Sequence, residues 1–326
     1  MTVCRVVSSA AVAALAALAF GARAETVPLP PADVDLIGQV RVVQASYEDT
    51  LLDIARRGGL GYNEIKMANR GVDPWMPGEG TRVTLPTQHI LPMAPREGIV
   101  INLPEMRMYY FPPAKGNLPQ VVTYPLSIGR YDWRSPLGVT KITQKVPNPS
   151  WTPPESIRIE HAERGDILPR VVPAGPDNPL GQYALRLGFH GYLIHGTNRP
   201  YGIGMRVTHG CLRLYPEHIA ALFGQVTPGM KVTFVSQPFK LGQAFGVTYL
   251  EVHPPLKEEQ GRKAGALGEI SRLLAERGVS TAAVDWVTVR RELDKPRGMP
   301  VPITHVDDVR LLDARDEGTG ARLARR

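Results

Sequence analysis

Cysteine is almost missing from this chain: its 326 residues hold two, Cys4 and Cys211. Long apolar runs are equally scarce. The one continuous stretch, residues 10–20, is eleven residues long, well short of the roughly 20 helical residues that cross a bilayer. No internal repeat is present, and no other segment is apolar enough to span a membrane. The short run still carries information. Arg5 precedes it and Ala22-Arg23-Ala24 follows as a small-x-small site, the pattern of a secretory signal cleaved after Ala24. The expected location is therefore the periplasm, with no membrane span left after cleavage.

Export changes the cysteine count. Cys4 leaves with the signal, and it does not follow the apolar run as a lipid-attachment cysteine would. The mature chain then keeps Cys211 alone and can close no internal disulfide. A single thiol in an oxidising compartment is either buried and inert or chemically employed. Net charge is 38 − 31 = +7, and 36 − 31 = +5 once Arg5 and Arg23 are removed. That balance suits a polyanionic envelope as well as nucleic acid. The export signal argues against a nucleic-acid partner.

What the chain has in plenty is glycine (32) and proline (31), which favour short strands and many turns. Residues 25–37 form a Pro-rich lead-in. From 38 to 88 the pattern is strand, helix, helix, strand. Val40 to Val43 is strand-like, and Ser46-x-x-Asp49 reads as a capping box. Leu51, Leu52, Ile54 and Ala55 recur at helical spacing, and Gly58-Gly59 ends that helix. Tyr62 to Asn69 is a second helix, and Thr81 to Leu85 closes the unit. Residues 97–238 carry short apolar or alternating runs between turns, the signature of a β-rich sandwich or barrel. One short helix, Pro216 to Phe223, interrupts them, with Pro216 at its first position. Residues 254–326 read as a helical extension: Leu267, Ile270, Leu273 and Leu274 share a face, and the tail from Asp307 is charged and solvated.

The chemistry concentrates around Cys211. His209 lies two residues before it, on the same side of an extended backbone. His195 lies sixteen residues upstream at the end of an apolar strand. Either imidazole supplies what thiolate chemistry needs, a base or a lowered thiol pKa. Gly196 and Gly210 allow close backbone approach to a substrate carbonyl, and the amides around Gly210 suit an oxyanion. Two other readings stand at this point. His190, His195, His209 and Cys211 offer four zinc ligands, although their spacing matches no usual structural motif; a buried structural cysteine is the other. His89, His161, His218, His253 and His305 read as surface or capping residues.

Two resemblances sharpen this. Tyr47 to Ala55, with Asn63-Glu64-Ile65, Ala68-Asn69 and Thr81 to Pro86, resembles a LysM module. The likeness implies binding of N-acetylglucosamine-containing glycans such as peptidoglycan. The unit departs from it at Arg57-Gly58-Gly59. Ile194-His195-Gly196-Thr197-Asn198, Gly202-Ile203-Gly204 and Thr208-His209-Gly210-Cys211-Leu212-Arg213 resemble the active-site signature of the YkuD family, the L,D-transpeptidases. Ser127-Ile128-Gly129-Arg130, Ser135-Pro136-Leu137-Gly138 and the stretch Asn148 to Pro154 extend that likeness. Thr208 stands where serine is more usual, and keeps the hydroxyl.

The second resemblance implies a mainly β catalytic domain with a small α+β LysM-like domain before it and the helical extension after it. It implies Cys211 as nucleophile, His195 as proton donor and acceptor, His209 in an orienting or oxyanion role and Gly210 as an oxyanion backbone. Arg213, Thr208, Gly196, Asn198 and Tyr192 are the expected substrate contacts, with Trp151 a further groove residue and His190 the one additional histidine near the site. No cofactor and no metal are implied. Peptidoglycan is the expected partner, and the amine acceptor is a second stem peptide or an envelope protein. Two other functions share the motif: a hydrolase with water as acceptor, and a non-catalytic wall-binding protein. Serine penicillin-binding enzymes are disfavoured, because Ser-x-x-Lys and Lys-Thr-Gly are missing.

Overall fold

The computed structural model describes residues 24–305 apart from 115 and 117. Residues 1–23 of the expected signal, and the arginine-rich tail beyond 305, lie outside the described residues. The fold is mainly β. A nine-stranded sheet runs in the order Glu25–Pro28, Gln120–Pro125, Arg107–Phe111, Gly98–Asn102, Lys231–Val235, Gly138–Pro147, Tyr183–Leu187, Leu193–His195, Leu212–Arg213. The adjacent strands Gln120–Pro125, Arg107–Phe111 and Gly98–Asn102 are covered on both faces, which is why they read as continuous apolar runs rather than as alternation. Ile99, Ile101, Met108, Tyr110, Val122 and Tyr124 face the main core, where Ile219 and Leu222 of the helix Pro216–Gln225 pack. Val100, Tyr109, Phe111 and Val121 face the other way, against Ile37 and Leu91.

Before this sheet, strand Arg41–Gln44 pairs antiparallel with Arg82–Leu85 around helices Leu51–Arg57 and Tyr62–Ala68. Leu51, Ile54, Leu60, Ile65 and Val83 form the small core between them. The helix cap differs from expectation. Thr50 and Asp53 form the capping box, while the Asp49 carboxylate accepts from Ser46 N at 2.9 Å and closes the preceding turn. This unit is docked firmly on the sheet. Arg107, fully buried, donates to Glu64 at 2.8 Å and to Gly59 O at 3.2 Å. Arg56 bonds both oxygens of Glu217. Tyr62 N donates to Ile203 O at 2.9 Å. Gly61 makes that approach possible, because a Cβ there would lie 2.7 Å from Gly204 Cα.

The C-terminal region departs from the helical, partly disordered extension expected from 254. Strands Phe239–Ala244 and Val247–Val252 form a hairpin that pairs with Val301–Pro302. Helices Ala266–Glu276 and Trp286–Asp294 lie on this sheet, burying Ile270, Leu273, Leu274 and Val289 against Phe239, Leu241 and Leu250. The unit is therefore α+β and starts near 239. Its turn, Phe245-Gly246, has positive φ at both residues (52° and 78°) but lacks the Asn-Gly or Asp-Gly that signals such a hairpin.

Three histidines expected at the surface or as caps are buried. His218 is held edge-on by Tyr124 and Tyr215, at ring separations of 5.5 and 5.3 Å. His89 and His253 enter a buried polar cluster where the three parts of the chain meet. At its centre Lys240 Nζ donates to Ile90 O at 2.7 Å and to Glu105 at 2.8 Å, and pairs with Glu251 at 2.9 Å. His253 Nε2 lies 2.6 Å from Glu251.

Candidate active site

One groove of about 1200 Å³ takes in Cys211, His195, His209, Thr208 and Arg213, together with Tyr192, Asn198, Trp151 and His190. Gly196 and Gly210 sit just behind its wall and shape it. The strand Leu193–His195 runs parallel to Leu212–Arg213, setting His195 beside Arg213 and Ile194 beside Leu212. Two short parallel strands thus bring together residues far apart in sequence. A second short pair, Arg206–Thr208 on Ile128–Gly129, fixes the approach to the turn at 209–211.

His195 is 4% exposed. Its Nδ1 lies 2.7 Å from Gly196 O, so Nδ1 carries the proton and Nε2 keeps its lone pair. Burial, and then the nearby Arg213, push its pKa down to about 3. The imidazole is neutral at pH 7. Cys211 is half-buried, and its thiol donates to Gly191 O at 3.7 Å. Burial raises the thiol pKa, against a bond from the Leu193 amide and the charge of Arg213. The resting pair is therefore a neutral thiol and a neutral base.

The turn that carries Cys211 is pinned from two sides. Thr208 Oγ donates to Cys211 O at 2.6 Å, and Ser135 Oγ donates to Gly210 O at 2.8 Å while accepting from Gly129 N at 3.0 Å. Gly210 has φ +99°, and a Cβ on it would meet the Tyr192 ring at 2.9 Å. Only glycine fits both demands.

His209 faces the segment 148–182, which crosses the groove. Its Nε2 lies 2.9 Å from Glu160 Oε2, on helix Glu155–Ala162, and its ring meets Trp133 edge-on at 5.1 Å. Glu160 also takes a two-pronged bond from Arg130 at 2.8 and 2.9 Å. Bonds from Arg130 and then His209 hold its carboxyl down at about 2. Asn198 ties the same segment down through Asp177 O at 3.0 Å. Glu160 and Trp133 were not singled out from the sequence, and Ser135 figured there only within the YkuD-like run Ser135 to Gly138. Glu160 shows there only as an i,i+4 partner of Arg164, a surface pattern with no pointer to His209.

The zinc reading does not survive this geometry. Among the described residues, no three of His190, His195, His209 and Cys211 bring ligand atoms within 4.8 Å of one another. His89, Glu105 and Glu251 do come that close, but Lys240 Nζ already stands 2.8 and 2.9 Å from the two carboxylates. Its ammonium supplies the cation there and would repel a metal ion.

A family model described as the L,D-transpeptidase catalytic domain (YkuD) matches residues 96–234. The chain is similar to the protein named Probable L,D-transpeptidase YcfS of Escherichia coli, at 42% identity over 297 residues, covering 89% of this chain and 92% of that protein. The chain belongs to the L,D-transpeptidase family. Likeness to two other E. coli L,D-transpeptidases is nearly as extensive. Probable L,D-transpeptidase YbiS is 39% identical, covering 86% of this chain and 92% of its own length; Probable L,D-transpeptidase ErfK/SrfK is 39% identical, covering 86% and 91%. These matches run well past residues 96–234, so this L,D-transpeptidase shares its flanking units with those relatives.

Proposed function

We propose that this L,D-transpeptidase works in the periplasm on the stem tetrapeptides of peptidoglycan through a thioester on Cys211. The observation that carries the reading is the meeting of Cys211 and His195 in one groove, with His195 Nδ1 committed to Gly196 O and Nε2 left as a base. His195 Nε2 takes the thiol proton as sulfur attacks the carbonyl at the L-centre of diaminopimelate. The amides at Gly210 and Cys211 receive the oxyanion. The C–N bond to D-alanine breaks, and His195 returns the proton to the departing amine. An acceptor amine then attacks the thioester and gives a proton to His195, and Cys211 leaves as the thiol after taking it back. The acceptor is a second stem peptide, giving a 3-3 cross-link, or an envelope protein.

His209 fits an orienting role better than that of the base, since Glu160 engages its Nε2. The 38–88 unit, LysM-like in sequence and in its order of strands and helices, is the candidate glycan-binding part. Arg213, Thr208, Gly196, Asn198 and Tyr192 complete the donor site as direct contacts or as the frame behind them.

Purified peptidoglycan incubated with the protein and resolved by mass spectrometry tests this. New diaminopimelate-linked or protein-linked products are expected, with loss of D-alanine. Tripeptides without linked products would instead favour the hydrolase, and unchanged peptides would favour a binding protein. The pH profile gives a second check. A base with a pKa of about 3 is deprotonated above that value and protonated below it. The acylation rate is expected to hold level from pH 7 down to pH 5 or so, and to fall only on approach to pH 3. Loss with a midpoint near 6.5 would show that His195 is not this base.

A further inference from the structure

Three guanidinium groups that line the groove, those of Arg186, Arg199 and Arg213, have no carboxylate partner among the described residues, and two of them lie close to His195 in sequence or in register. Arg213 follows Cys211 by two positions and sits in register with His195. Arg199 follows His195 by four positions, and both arginines line the groove with Cys211. Three other arginines nearby are paired, Arg130 and Arg164 with Glu160 and Arg206 with Glu258, while Arg186 lies on the strand Tyr183–Leu187. Arg213 instead has its Nε buried with no hydrogen-bond partner. Arg199 is exposed along the same wall. Burial and then the charge of Arg199 lower the pKa of Arg213, so the two positive charges lie near enough to repel. A buried donor without an acceptor, beside a second like charge, is costly unless an anion arrives from outside. Guanidinium forks match carboxylates in shape and in hydrogen-bond count.

We propose that Arg199 and Arg213 together form a subsite that reads a free carboxylate of the donor peptide. The proposal rests on the tetrapeptide-donor reading above. Two donor carboxylates have the right chemistry: that of the terminal D-alanine and that of the D-centre at the end of the diaminopimelate side chain. Arg213 is a direct contact, and its buried Nε gains an acceptor only when the donor is seated. Arg199 adds the second charge and selects acids over amides at the entrance.

The test uses four tetrapeptides, with each of the two carboxylates free or as the carboxamide. Binding is measured by calorimetry on full-length Cys211→Ala protein, so that the readout does not depend on turnover. Amidating the carboxylate that the pair reads should weaken binding roughly 10- to 100-fold, and amidating the other should change it little. In the same background Arg199→Gln and Arg213→Gln should bind acid and amide alike, while Arg213→Lys should keep part of the preference. The proposal is overturned if neither amide weakens binding to the parent, or if the arginine variants discriminate as the parent does. Alkylation of Cys211 by iodoacetamide in otherwise unmodified Arg199→Gln and Arg213→Gln proteins checks that the groove is intact. Acid-selective binding with no D-alanine release by the unmutated enzyme would sink the transpeptidase mechanism and leave the subsite standing.

Discussion

A Cys211→Ala protein is expected to fold as the parent does and to release D-alanine from tetrapeptide donors at least ~10⁴-fold more slowly. The reason lies in what surrounds the thiol. Cys211 is the only cysteine among residues 5–326. The hydroxyls built into its turn are already engaged, Thr208 with Cys211 O and Ser135 with Gly210 O. Without sulfur, His195 Nε2 has no nucleophile proton to take. The half-buried sulfur makes only weak contacts, a long bond to Gly191 O at 3.7 Å and one from the Leu193 amide, so its loss should cost at most about 1 kcal/mol of stability. Intact-mass measurement after mixing with donor, or with a carbapenem, should show an adduct on the parent and none on the variant. A residual rate within tenfold of the parent would mean that another group attacks the carbonyl.

The second large effect is on folding. Lys240→Met is expected to destabilise the protein by about 3–5 kcal/mol, the usual result of removing one partner from a buried ion pair. Calorimetry should register it as a fall in melting temperature of around 10 °C. Lys240, Glu105 and Glu251 are all fully buried. Burial works to raise the Glu251 pKa, yet Lys240 and His253 hold it below the ordinary carboxylate value. Methionine fills the volume and leaves two carboxylates without their cation. Glu251→Gln added to Lys240→Met should restore part of the loss, because one buried charge then disappears. A melting temperature unchanged by Lys240→Met would show that water or a rearranged neighbour already satisfies the carboxylates.

The parts of this molecule that the sequence makes legible are those governed by local pattern. The apolar strands Gly98–Asn102, Arg107–Phe111 and Tyr183–Leu187, and the helix behind Pro216, follow from periodicity and turn residues. The meeting of Cys211 and His195 in one groove was legible because glycine, histidine and cysteine cluster in two short motifs. Strand Gly138–Pro147 was not, since its outward face is lysine, threonine and glutamine and it is mostly exposed. The hairpin 239–252 was hidden by Lys240, Gly242 and Gln243, polar or small residues that sit in a strand because the chain folds a partner onto them. The buried histidines show the same limit. His89, His218 and His253 look like surface residues until long-range packing supplies tyrosines or a glutamate. Glu160 reaches His209 across 49 positions, and no local rule connects them.

The contact between Gly61 and Gly204 has a consequence for how the molecule behaves as a machine. Four residues beyond Gly204, the chain reaches Thr208 and the turn bearing Cys211. A glycan-gripping head on a loose tether would search the wall independently of its catalytic partner. Here the first helical unit is instead a buttress: it bonds the backbone at Ile203, neutralises Arg107 and clasps Glu217. The two are expected to melt as one cooperative body, and a chain trimmed to begin at 97 would start with an orphaned charge in its core and a slackened loop beside Cys211.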